Sequence, residues 1–376
     1  MDASRQKLIL GKALADSFWL YFLWGFGARP YCLANPQDNW VYPPLHRPLC
    51  EWLDWHIKDW EKRRQAGQRR PKDLLLRVFR GGGKSTIGCA LDTWIQIRNP
   101  DCAEIISSYD EDKSKEFLAV DKTIFEGMNP FGMFRDLWGV WSPQGDSRTW
   151  QAASITHMRR ANPALRDYSM RTTSISQGFT GSRPDVYRLD DPISKEKLIR
   201  EPGWAAKARE HLDSTVYAVK TNGLRVVLLT PYAELDVDGK ILREEGVASM
   251  TEPFRKMKPE RWKKGGTWHV FSVPVRDDLG KSVMPNVYPE EVLKRMEAKD
   301  PDDFAAQMMC EPSEGSHMPL SIEDINHLWV GRTDVRRHWP VSIHLDTAFK
   351  DPKRRERQDF NVIQVWAHDR ATGTAY

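Results

Sequence analysis

The chain has 376 residues, 29% of them charged and 11% aromatic, with a formal net charge of +4. That length accommodates two domains and a substantial core, and the mild basic excess permits contact with a polyanion without requiring it. The ten histidines show no HExxH-type spacing, which excludes the common zinc-enzyme patterns, and five cysteines, odd in number and with no CxxC pair, read most simply as reduced thiols in a cytoplasmic protein.

The first predicted element is the intensely apolar run Ser17 to Phe26 (SFWLYFLWGF). It is too short to span a bilayer, and Lys12 and Asp16 fall inside any wider window. A cationic start and a small-residue cleavage site are also missing, so a cleaved leader is not predicted. The run reads as a first helix buried against the core, where some of the sixteen tryptophans would anchor it. Arg63, Arg64, Arg69, Arg70 and Lys72 follow as a basic helix end and loop, either solvated or touching DNA phosphates.

Residues Leu74 to Ile87 (LLLRVFRGGGKSTI) carry the clearest signal: a buried-type strand, a glycine turn, then Lys84-Ser85-Thr86 opening a helix. Backbone N–H groups of Gly81, Gly82 and Gly83 can wrap a phosphate because glycine tolerates positive φ and offers no side chain to block approach. Lys84 would reach the β/γ oxygens, Ser85 would hold Mg²⁺, and the helix N-terminus would face the anion. This is a P-loop with two departures. Val78 stands where a glycine is usual, and Arg80 places a charge inside the loop.

Residues 85–98 read as a helix ending at Asn99-Pro100, 103–109 as a strand, and 110–128 as a charged amphipathic helix. A Trp/Gly/Pro-rich stretch, 129–150, reads as an irregular insertion. Strands are predicted over 167–175 and 185–189 with a loop at 177–183, then a helix over 204–219 and a strand over 224–230. Alternating strands and helices predict a parallel, right-handed α/β sheet.

Asp190 and Asp191 end the apolar segment VYRLDDP. A P-loop ATPase needs one strand-end carboxylate for Mg²⁺ and a neighbour to polarise the attacking water, roles that suit Asp190 and Asp191 in turn. The commoner pair is Asp-Glu, and Arg188 interrupts the apolar run. Next, Leu228-Leu229-Thr230-Pro231-Tyr232 ends a strand on a polar residue; alone Thr-Pro reads as a turn, but after a P-loop and an acid pair such a residue can sense the γ-phosphate.

Near the end, Val341 to Asp346 and Asp359 to Trp366 read as two strands joined by a polar loop, with an acid closing the first. That is how a ribonuclease-H-like fold opens, and such nucleases hold two divalent metals with several carboxylates. Asp346 would be the first ligand. Asp359 is a second ligand or a turn residue, and Lys353, Arg354, Arg355 and Arg357 contact DNA or form a solvated loop.

In order, FRGGGKS, FTGSRPDVYRLDDP, LLTPY and HLDTAF resemble the large terminase subunit of tailed bacteriophages, the ATPase-nuclease that packages viral DNA. The apolar first helix and FAAQMMCEP (304–312) are similar too, so the resemblance covers nearly the whole chain. It implies a P-loop NTPase of the ASCE/RecA-like class followed by the start of an RNase H-like nuclease domain. The implied organisation is a helical, adenine-side segment over 1–50, the ATPase domain over 51–315, a linker over 316–340 and the nuclease start over 341–376.

The resemblance also implies roles. Gly81, Gly82, Gly83, Lys84, Ser85 and Thr86 bind ATP; Ser85 and Asp190 hold Mg²⁺; Asp191 orients water; Thr230 couples hydrolysis to movement. Arg80 is placed to stabilise transition-state charge in cis, and Arg183 is a second candidate that would reach a neighbouring subunit. Trp40, Tyr42 and His46 are candidates for adenine contact. Asp346 would bind Mg²⁺ or Mn²⁺ in the nuclease. Implied partners are double-stranded DNA, a portal protein, a small terminase subunit and further copies in a ring, in the host bacterial cytoplasm and not at a membrane. The later nuclease acids of the family have no counterpart before Tyr376, so the expectation is an ATPase that does not cut DNA. Rival readings are a helicase-like nucleic-acid-dependent ATPase, and an assembly component that binds nucleotide without turnover.

Overall fold

The run Asp73-Leu-Leu-Leu-Arg-Val78 forms β1 at the centre of a sheet, buried along its whole length. The structure, a computed structural model, describes residues 2–28, 41–68, 72–144, 149–177, 181–201, 203–233, 236–252, 254–312, 341–346, 362–369 and 374–375. The chain divides into two compact units, Met1–His317 and Met318–Tyr376.

The remaining strands of the first unit are β2 (Glu104–Ser108), β3 (Ser154–Ile155), β4 (Met170–Ser174), β5 (Val186–Asp190), β6 (Leu224–Leu229), β7 (Val247–Thr251) and β8 (Lys264–Val273). They lie in the order β3-β4-β2-β5-β6-β1-β8-β7. Every neighbouring pair is parallel except β3 with β4, so the expected parallel sheet carries a short antiparallel edge. In register, Leu75 of β1 faces Val227 of β6 on one side and Val270 of β8 on the other.

Helices cover both faces, which is why β1, β2, β5 and β6 read as unbroken buried runs rather than alternating ones. Leu74, Leu76 and Val78 enter one core with Leu91 and Trp94 of the helix Lys84–Arg98. Leu75 enters the other with Tyr187, Val227, Trp204 and Trp268. One strand, β6, intervenes between the P-loop strand β1 and the acid-bearing β5. That order makes the unit a P-loop NTPase fold of the RecA-like class expected from the sequence.

Three arginines lie in these buried strands, each with a carboxylate partner, as buried charge requires. Arg77 makes a forked pair with Asp238 (2.6 and 2.9 Å) and donates to the Cys310 carbonyl, and Arg225 clamps Asp73. Arg188 belongs to the functional edge described below.

The apolar N-terminal run docks on the core as read. Phe18, Tyr21 and Phe22 are fully buried, Phe18 lies 5.1 Å ring to ring from Trp94, and the Tyr21 hydroxyl donates to Thr93. Among the described residues no helix is long and apolar enough to cross a membrane. Among its described residues, the stretch expected to be irregular, 129–150, contains one short helix, Phe134–Trp138, whose Phe134 packs against Phe125 and Trp141. Cys50, Cys89, Cys102 and Cys310 are free thiols, all buried.

In the second unit β9 (Val341–Asp346) pairs antiparallel with β10 (Val362–Asp369), which pairs with β11 (Thr374–Ala375). Asp346 closes β9 opposite Val362. Asp359, Lys353, Arg354, Arg355 and Arg357 lie outside the described residues, as do Cys32, Trp40, Arg69 and Arg70.

Candidate functional site

Parallel strands end on the same edge, so β1, β5 and β6 deliver the P-loop, the acid pair and Thr230 to one place. The loop is built on glycine. Gly81 and Gly83 have φ of 83° and 81°, and Gly83 caps the helix Lys84–Arg98, leaving its first amides pointing outward. The Gly82 N–H donates to the Phe79 carbonyl at 3.0 Å, closing the turn. A Cβ on Gly81 would come within 1.9 Å of the Tyr288 hydroxyl, and one on Gly82 within 2.4 Å of Val78 Cγ1. Val78, in place of the usual glycine, therefore packs under the loop. Gly81→Ala is expected to distort the turn at a cost of about 1–3 kcal/mol from the positive φ alone. Unchanged thermal stability and nucleotide affinity in that variant would overturn this account.

The loop also leans on the N-terminal segment. His46, fully buried, accepts the Tyr42 N–H at Nδ1 (2.8 Å), so its proton sits on Nε2, which faces the Gly82 carbonyl at 3.2 Å. Burial lowers its pKa to about 4, outweighing the backbone bonds. The ring is thus neutral at physiological pH and braces the loop. Unfolded histidine takes its proton near pH 6.5 and folded His46 only near 4, so its contribution to stability falls as pH drops through that window. An NMR titration should find His46 unprotonated down to about pH 5, and a midpoint above 6 would contradict this environment.

Lys84 Nζ lies 2.9 Å from Asp191 Oδ2. Burial alone would depress the ammonium, but Asp191 and Asp190 more than reverse this and raise its pKa. Ser85 Oγ donates to Asp190 Oδ1 at 3.1 Å. Asp190 is fully buried, which pushes its carboxyl up to about 6 against the pull of Arg188. Asp191 sits at φ 44°, a left-handed conformation unusual outside glycine, with its N–H on the Leu228 carbonyl. Its other oxygen, Oδ1, is buried without a hydrogen-bond partner. Lys84, Ser85, Asp190 and Asp191 are therefore brought together as the sequence suggested.

Arg188, legible in the sequence only as an interruption, positions this edge. It is fully buried and bridges Asp190 and Asp92, both at 2.7 Å. Gly88 makes room for it, since a Cβ there would lie 2.6 Å from its Nη1. Asp92 sits in the P-loop helix, so Arg188 ties that helix to the acid strand.

Thr230 Oγ1 donates to the Val78 carbonyl at 3.1 Å, joining the end of β6 to the base of the P-loop. Arg80 does not point at the acids; its Nη1 donates to Gln307 Oε1 at 3.0 Å. Arg183 is exposed before β5 begins, with its N–H near Asp167 at 3.4 Å. That is the opposite end of the strand from Asp190, roughly 15 Å or more away along the chain. Tyr42 precedes the helix Pro43–Gln65, and Thr86 faces a cavity of about 430 Å³ beside the P-loop helix, lined also by Phe26, Phe117, Val120 and Lys113.

The donor set is all oxygen: one hydroxyl, one bonded carboxylate and one carboxylate oxygen without a partner. That suits a hard divalent cation completed by water and phosphate. Among the described residues no cluster of three or more His, Cys, Asp or Glu could form a self-sufficient metal cage.

No family model matches the chain, and no curated protein matches it. Among solved structures it is similar to the ATPase domain of the large terminase of Thermus phage P74-26. An arginine-to-alanine mutant of that domain aligns at 14% identity and a TM-score of 0.40, covering 65% of this chain and 90% of the domain. The same domain without that mutation aligns at 14% identity and a TM-score of 0.37, covering 63% and 87%.

Proposed function

We propose that this chain is the ATP-hydrolysing subunit of a motor that drives double-stranded DNA into a viral procapsid. The observation that carries the ATPase reading is the meeting of Lys84, Ser85, Asp190 and Asp191 at the end of a glycine loop. The ordered terminase-like motifs carry the packaging reading.

On this reading the amides of Gly81 to Lys84 receive the phosphates, and Lys84 exchanges Asp191 for β- and γ-oxygens. Ser85 and Asp190 would hold Mg²⁺, which neutralises charge on the phosphates. Release of Lys84 leaves Asp191 free to orient and polarise the attacking water. Thr230, bonded to the base of the loop, is placed to pass loss of the γ-phosphate to the segment after β6. Arg183, exposed away from its own site, suits a role across a subunit boundary in a ring. The second unit is read as the start of the nuclease, with Asp346 as a metal ligand.

Phosphate release by the chain should rise on adding duplex DNA, and the stimulation should weaken steeply with salt as phosphate contacts are lost. Strand unwinding by the chain would favour the helicase reading instead. Nucleotide-dependent assembly, equal with ATP and a slowly hydrolysed analogue and without phosphate release, would favour the assembly component.

A further inference from the structure

Asp190 gives its two oxygens to different neighbours. Oδ1 accepts the Ser85 hydroxyl at 3.1 Å, and Oδ2 pairs with Arg188 Nη1 at 2.7 Å. Arg188 stands two residues earlier on β5, so both side chains leave the same face of the strand. A divalent cation at Ser85 and Asp190 would therefore meet a carboxylate that a buried arginine already neutralises. Hard cations are held more tightly the more charge their oxygen ligands carry, so an Arg–Asp pair alone would be a poor ligand.

Asp92 changes that balance. It lies in the helix Lys84–Arg98, fully buried, and meets the far end of the guanidinium, Nη2, at 2.7 Å. Neither of its oxygens meets the geometry of a hydrogen bond, so the tie is one of charge. The Phe117 ring covers the guanidinium, with its centroid 5.1 Å from Arg188 Cζ. Two carboxylates against one guanidinium leave the group a net negative charge. Burial and Asp92 itself push the carboxyls of Glu104 and Asp121 well above their usual range, so these neighbours keep their protons and add no charge. Asp190 is the member of the group that touches Ser85.

We infer that Asp92 is a positioning residue for the divalent cation. By taking one end of the Arg188 guanidinium it leaves Asp190 enough negative charge to hold Mg²⁺ with Ser85. This rests on reading the site as one for ATP and Mg²⁺.

The test is the factor by which Mg²⁺ strengthens binding of a slowly hydrolysed ATP analogue to the full chain, from equilibrium titrations with Mg²⁺ and with EDTA. Asp92→Asn leaves the guanidinium to Asp190 alone. It should lower that factor about 10- to 100-fold, the usual reach of a residue behind a metal ligand, with affinity in EDTA equal or tighter. Adding Arg188→Met removes the cation as well, restores the charge of Asp190 and should return the factor to the wild-type value or above. A merely structural role for Asp92 would lower the factor in both variants, and that result overturns the inference. An unchanged factor in Asp92→Asn overturns it too. If Asp92→Asn melts too early to titrate, the double variant decides: a factor near wild type supports the charge account, and one reduced about tenfold overturns it. A wild-type factor in Asp190→Ala would instead remove the Mg²⁺ reading of the site, and this inference with it.

Discussion

Replacing Lys84 with alanine should abolish ATP turnover, lowering kcat by at least about a hundred- to a thousand-fold, the scale of losing one preorganised charge at a transition state. The reason is positional. Lys84 opens the helix behind the glycine turn and already faces the catalytic edge through Asp191 at 2.9 Å. Asp191→Ala should lose a comparable factor, about a hundred- to ten-thousand-fold, for a different cause: the water loses its orienting base. The two losses should not add in the double variant, because each side chain acts on the same step. Nucleotide affinity separates them further. Lys84→Ala should weaken binding, whereas Asp191→Ala should leave it equal or tighter, since Lys84 no longer has to abandon a partner. Steady-state phosphate release and equilibrium binding on the same preparations check this, and full turnover in either variant would refute the proposed ATPase.

The largest effect on stability is expected from Arg188→Met. The guanidinium is fully buried between Asp92 and Asp190, and its removal strands two buried carboxylates without their counter-charge. Breaking one side of a buried charge network costs about 3–5 kcal/mol. Burial also pushes the carboxyls of Asp92, Glu104 and Asp121 above their usual range, with Arg188 opposing that rise in each. A carboxyl whose folded pKa is raised binds its proton more tightly folded than unfolded. Acid therefore favours the folded state until pH falls to the unfolded value near 3.8 for aspartate. The deficit of Arg188→Met should accordingly be larger at pH 8 than at pH 5, and adding Asp92→Asn should recover part of it. Denaturant unfolding at the two pH values decides the matter. A loss under about 1 kcal/mol, or one independent of pH, would mean that Arg188 is only a packing element.

How far the sequence revealed this molecule depends on whether a signal is local. The P-loop was legible because a buried apolar run, three glycines and Lys84-Ser85 fall within fourteen consecutive residues, Leu74 to Ile87. Strands β2, β5 and β6 were legible for a related reason, being apolar runs bounded by turn residues. By contrast β8 (Lys264–Val273) opens on a lysine and two glycines and mixes Trp268 and His269 into its run, so nothing local marks it as the neighbour of β1. The helix Phe134–Trp138 has five residues, too few to show a helical period. Arg188 was visible as an anomaly, but its partner Asp92 lies in another element and carries no mark of the pairing. Gln307 gave no sign at all, because its contact is with Arg80, a P-loop residue far away in sequence. The same limit applies to Arg80 and Arg183: their positions were readable, but which way they reach depends on long-range packing.

The placement of β6 sets a dimension. Two ladder steps of about 4.8 Å each separate the strand that ends in the glycine loop from the strand that ends in the acids, so their backbones stand close to 10 Å apart. A hydrogen-bonded sheet resists stretching across its strands, and Thr230 ties the intervening strand to the loop at its upper end. The backbone spacing behaves as a fixed gauge. Any change in the distance between the glycine loop and the acids must therefore come from loops and side chains, such as the Lys84–Asp191 pair, and not from the strands.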